Sequence, residues 1–295
     1  MIVVRKEKKT SATAVDKLLA KSNPVSVNEY ESGSDASHQM YTFEHPETAQ
    51  TGALTDYRYI GNDPYNYVEF NGETWRIIGV FTVEDGNGNT SPRIKIIKDE
   101  LLSENREWDS NYVNDWKTST LNIYLNGDYY TGLSSVAKEM ISPAKTYLGG
   151  AKYLEWENVG TAEDMYFWER GIDRPKGGTR SLNDIKNVSL IYPSDYTYTY
   201  GKGIDNVCYS DGHSCYSGWG GNPSLGWLYK SPYQWWTVSP IAAHYGYVFF
   251  ILIGGNVFSD DVRQMEGVRP VVYLKPEVKI VSGDGTKDNP YKFKI

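Results

Sequence analysis

The chain has 295 residues, enough to bury roughly three quarters of its unfolded surface in one elaborate domain or two ordinary ones. A net charge of −7 argues against a cationic phosphate-binding surface, so no nucleic acid partner is expected. Tyrosine (25), tryptophan (9) and glycine (28) are plentiful and methionine (5) is scarce, which suits a loop-rich fold with the amphipathic aromatic surfaces that binders use.

The opening "MIVVRKEKK" carries no signal-peptide core. Residues 1–50 are polar and lack strand alternation, so they read as an N-terminal arm or tether; "ATAVDKLLAKSNP" within them predicts one short helix, with Val15, Leu18 and Leu19 on one face and Pro24 as its stop. Residues 51–295 then read as a single ligand-binding domain. "ETWRIIGVFTV" and "RIKIIKDELL" flank a turn-rich tip and predict a hairpin. "NDWKTSTLNIYLNG" predicts a helix capped by Thr118 or Ser119, and "SSVAKEMISP" a second one stopped by Pro143.

From about 147 to 235 the chain reads as loop, apart from "VSLIYPSDY", which is expected to be a strand. "WWTVSP", a hairpin turning at Gly254-Gly255, and "VRPVVYLK" are the closing strands, and "VKIVSGDGTKDNPYKFKI" a last hairpin. The natural partner for "VRPVVYLK" is "TWRIIGVF", which closes an α+β arrangement of an antiparallel sheet with two short helices and long inserted loops.

The stretch "YVFFILIGGNVFSDD", residues 247–261, has too few apolar residues for the ~20 of a membrane span. The two cysteines, Cys208 and Cys215, share one Gly/Ser/Asp loop, "NVCYSDGHSCYSGW". A disulfide is expected between them, which implies an oxidising compartment and export. Zinc would need a fourth ligand besides these two and His213, and none is evident.

This order and these motifs resemble the C-type lectin fold. "WTVSP", the Gly-Gly hairpin and "GVRPVVYL" resemble the C-terminal part of variable proteins diversified by retroelements, and "DYRYIGNDPYNYVEFNGETWRIIGVF", "NDWKTSTL" and "YPSDY" extend the likeness over roughly residues 52–295. The resemblance implies that template adenines are mutated so that AAC codons become any NNC codon. Such a code excludes Lys, Glu, Gln, Met and Trp, and none of these five occurs from Ile241 to Arg263, the implied variable region. An ordinary buried hairpin also avoids charge and is the competing reading. On the displayed reading Val248, Ile251, Val257 and Val262 face the core. Ile241, Ala243, His244, Tyr245, Tyr247, Phe250, Leu252, Asn256, Phe258, Ser259, Asp260, Asp261 and Arg263 then form the ligand-binding surface.

The calcium–sugar motifs of C-type lectins, Glu-Pro-Asn or Gln-Pro-Asp with Trp-Asn-Asp, are missing. The same fold includes formylglycine-generating enzymes with reactive cysteines, but nothing basic flanks Cys208 or Cys215 to lower a thiol pKa. Acidic pairs such as Glu155/Glu157 and Glu163/Asp164 read as solvated surface, and no Ser-His-Asp grouping is evident. Trp235 and Trp236 read as core.

The expectation is therefore a non-enzymatic binder on the cell surface or outside the cell, tethered through an upstream segment to a membrane or surface structure. It needs no metal or cofactor and takes an unknown protein or glycan through its variable surface. The rivals are an enzyme of the formylglycine-generating or surface glycosidase kind, and a structural surface protein.

Overall fold

The computed structural model describes residues 12–31, 37–150, 161–175, 178–201, 226–230 and 232–295, with the backbone alone of 208–209 and 214–215. These form a mixed α+β structure, mostly strand with few helices. The strands in chain order are β1 (Val25–Ser26), β2 (Met40–His45), β3 (Leu54–Tyr59), β4 (Tyr67–Phe70), β5 (Glu73–Glu84), β6 (Thr90–Lys98), β7 (Ala144–Tyr147), β8 (Asn183–Lys186), β9 (Val188–Ser189), β10 (Cys208–Tyr209), β11 (Ser214–Cys215), β12 (Trp235–Pro240), β13 (Tyr247–Ile251), β14 (Val257–Asp261), β15 (Val271–Tyr273), β16 (Lys279–Ser282) and β17 (Tyr291–Lys294). The α-helices are α1 (Ala14–Ser22), α2 (Thr120–Tyr124), α3 (Tyr130–Gly132), α4 (Ser135–Met140), α5 (Ala162–Glu169) and α6 (Pro193–Thr197).

The predicted hairpin is β5–β6, the long central pair of a ten-stranded sheet. One edge of β5 carries β3 on its C-terminal half and β4 on its N-terminal half, so the sheet forks there. Gly79 makes this approach possible, since a Cβ there would lie 2.1 Å from the Tyr57 carbonyl oxygen. On the other side β15 pairs with β6, not with β5 as expected, and β9 follows it. The sheet's interior positions are buried on both faces, mostly by apolar residues but with Arg76 and Lys95 among them, so pattern alone does not distinguish neighbours one strand apart.

The described residues among 1–50, expected as an arm, pack into the fold instead. Thr13 and Asp16 form a capping box at the start of α1, and the helix buries Ala14 and Leu18. The Ala14 N–H donates to Val278 O at 2.7 Å and Lys17 Nζ to Ile280 O at 2.8 Å. β2 then runs its whole length against β3.

Ser119 caps α2, and a π-helical turn, Leu125–Tyr129, carries the chain into α3. Ser134 caps α4. "VSLIYPSDY" departs from expectation: the strand ends at Ser189 and Pro193 opens α6. Proline suits a helix's first turn, and Asp195 accepts the Tyr192 N–H at 3.0 Å.

The second sheet has the order β10-β11-β14-β13-β12, all antiparallel. β13 and the edge strand β12 are covered on both sides. Trp236, Val238, Val248, Phe250 and Val262 join one core cluster with Trp108, Trp116 and the main sheet. Trp235, Phe249, Ile251 and Val257 join a second one with Phe81, Met165 and Tyr196.

Candidate functional site

The sequence "WDSNYVND", 108–115, builds a frame. Asp109 is buried; its Oδ2 accepts the N–H groups of Asn111 (3.0 Å) and Val113 (3.1 Å), and its Oδ1 accepts that of Thr120 (3.2 Å). Short polar side chains compete well for such backbone donors. The turn they hold places Tyr112 at φ +58, a conformation costly for an aromatic residue and kept by its surroundings. The Tyr112 ring lies against Gly246, where a Cβ would come within 2.3 Å of it.

Asn114, 1% exposed, meets the hairpin almost entirely through backbone. Its Nδ2 donates to the carbonyls of Ile241 (3.0 Å), His244 (2.5 Å) and Tyr247 (2.8 Å), sharing two hydrogens among three acceptors, and its own N–H donates to Tyr245 O at 2.6 Å. The N–H groups of Trp108 and Asp109 both donate to Val262 O, at 2.8 and 2.9 Å. Val262 N–H closes the base of the hairpin on Gly246 O at 3.0 Å.

On this frame the base of the hairpin displays one group of side chains. Tyr245 is 64% exposed and meets the Tyr112 ring edge-on at 5.9 Å. Arg263 lies 4.3 Å over the Tyr112 ring and makes a two-pronged contact with Asp261, at 3.0 and 2.6 Å. These bonds hold the Asp261 carboxyl below its ordinary range. His244, exposed, packs its ring 5.5 Å from that of half-buried Tyr247. Ala243 is exposed, and half-buried Asp260 accepts the Asp261 N–H. The arrangement offers aromatic faces, a fixed ion pair and an imidazole, which is the chemistry of a binding surface.

Not every expected member belongs to it. Val248, Ile251, Val257 and Val262 are core, as expected. Phe250, expected on the surface, is 2% exposed between Trp236 and Phe258; Ile241 (1%) and Ser259 (7%) are buried as well. The cause is the second covering layer: alternate residues of β13 face different cores instead of core and solvent. Phe258 is half-buried against the first core. Leu252 and Asn256 sit at the hairpin's other end, about five residues of strand rise, or ~17 Å, from Tyr247. There the hydroxyls of Tyr229 and Tyr196 bond Ile253 O and Gly255 O.

Tyr112, Asp109 and Asn114 went unnoticed in the sequence, although a run of Asp and Asn beside a buried tryptophan is a mark of backbone-directed bonding. The same loop borders an open cleft of about 400 Å³, lined by Glu104, Arg106, Glu107, Tyr124 and Met265 among others. The Cys208 and Cys215 side chains lie outside the described residues; the backbone register pairs the two residues directly across β10 and β11. Among the described residues no cluster of His, Cys, Asp or Glu could hold a metal ion, and no helix is long and apolar enough to cross a membrane. No protein family, curated protein or solved structure matches this chain.

Proposed function

We propose that the protein is a ligand-binding surface protein with a C-type lectin-like fold, whose hairpin base is a retroelement-diversified display surface for a protein or glycan. The observation that carries this reading is the Asn114 clamp. It grips residues 241–247 by their carbonyls, so side chains there can change without loss of the loop's shape. The order of elements also supports the lectin-like reading: a hairpin, short helices, a long loop region, then a strand returning to that hairpin's β6.

The test replaces His244, Tyr245, Tyr247 and Arg263 together with other residues of the NNC set. Melting should stay close to wild type, while binding to a partner captured by the wild-type protein should be lost, about 2 kcal/mol or more for each aromatic anchor. Asn114→Ala should instead lower stability by about 1–3 kcal/mol, since it strands buried carbonyls. Unfolding of the four-residue variant would refute the display reading. For the retroelement, the decisive observation is a nearby DNA repeat matching the codons of residues 236–270 except at adenines.

A further inference from the structure

Away from the side chains displayed at the hairpin base, Lys95 on β6 and Asp195 on α6 meet in the interior, each 1% exposed. Lys95 Nζ donates directly to Asp195 Oδ2. The same Oδ2 accepts the Tyr192 N–H at 3.0 Å, and Oδ1 accepts Arg58 Nη1 at 3.0 Å. The rings of Tyr192, Phe81 and Tyr273 surround the amine at 4.6, 5.4 and 5.4 Å. Burial lowers the Lys95 pKa, toward the neutral, nucleophilic amine.

We propose that Lys95 and Asp195 condense without an external catalyst into an intramolecular isopeptide bond, from Lys95 Nζ to Asp195 Cγ. A proton passes from the ammonium to the carboxylate, and the freed lone pair of Nζ attacks Cγ. The N–C bond forms, the Cγ–Oδ2 bond breaks, and Oδ2 leaves as water with two of the three ammonium protons. The third stays on the amide nitrogen. Nothing is oxidised or reduced, and no co-reactant is needed.

Arg58 stands where charge develops: its bond to Oδ1 stabilises the oxyanion of the tetrahedral intermediate, as a positioned donor does in acyl transfer. Fixed contact between amine and carboxyl supplies the high effective concentration of an intramolecular reaction. The product replaces a buried ion pair, with its desolvation penalty, by a neutral amide. Arg58, which loses Asp195 as a charged partner, keeps Asp56 at 2.8 Å. The bond would join β6 to the segment whose Ile191 carbonyl receives Val238 N–H of β12, tying the main sheet to the display sheet.

The experiment is the intact mass of the full chain, reduced and denatured, followed by a tryptic digest. The expected mass is one water below that of the sequence, with no cleavage after Lys95 and a joined peptide pair carrying Lys95 and Asp195. The full sequence mass, with cleavage at Lys95, overturns the proposal. So does a water loss confined to a single peptide with one of the Asp-Gly pairs at 85–86, 211–212 or 284–285, which is a succinimide. Asp195→Ala should restore the full mass; the wild-type measurement decides alone if that variant fails to fold. The result does not depend on whether the hairpin base binds a ligand.

Discussion

Phe250 has the rings of Trp236 and Phe258 beside it, at 5.9 and 5.8 Å, while Tyr245 touches Tyr112 edge-on and leaves most of its surface to solvent. Truncating Phe250 to Ala should therefore open a cavity and cost about 3–5 kcal/mol. Tyr245→Ala should stay within about 0.5 kcal/mol, as exposed substitutions do. Urea unfolding of the two variants checks the contrast; equal losses would place Tyr245 in the core. At this scale the sequence told the valines and Ile251 correctly, because β-branched residues in an apolar run have little else to do. Phe250, Ile241 and Ser259 were misread because their fate depends on a second layer, built from segments distant in the chain. Asn114 left no trace in any hydrophobic pattern, since its work is done by hydrogen bonds to carbonyls.

The elements most legible in the sequence are those with local punctuation. The β5–β6 hairpin has its turn-rich tip, α2 and α4 have serine caps, and β16–β17 has its Gly-Asp-Gly turn. β15 was recognisable as a strand, but its neighbour was not, because β5 and β6 are both buried through their middles and each mixes branched apolar residues with a buried cation, Arg76 or Lys95. Helix α1 was visible as a helix, yet its docking was not: a short amphipathic helix looks alike on a tether and on a core. Leu18, 1% exposed in the core that also holds Val278 and Ile280, separates the two. Leu18→Ala should destabilise the whole domain by about 2–5 kcal/mol in thermal or chemical unfolding. A helix on a free arm would show no change in the domain's transition.

Across the whole molecule, a buried network of charge joins β2, β3, β6, α5 and α6 and makes stability depend on pH from both directions. Burial keeps the His45 ring neutral, with its pKa below 6.5; Asp56 at 3.1 Å opposes this, and Arg58 and Arg170 reinforce it. Its contribution is present above the unfolded pKa and is lost as pH falls below it, because only the unfolded chain then takes up the proton. Glu169 has the opposite sign. Burial raises its carboxyl from 4.5 to about 7, against the pull of Arg170 and of the Ser194 hydroxyl and N–H. Its contribution is present below 4.5 and is lost as pH rises through about 7, where the folded state must hold a charged carboxylate in the interior. Glu169→Gln keeps an amide that can bond Ser194 and removes the titration. The variant should therefore gain on wild type between about pH 5 and about pH 8, measured as the difference of melting temperatures at each pH. His45 is common to both proteins and cancels from that difference. A gap that stays the same at both pH values would mean that the Glu169 carboxyl is already charged throughout, held by Arg170 more strongly than burial opposes it.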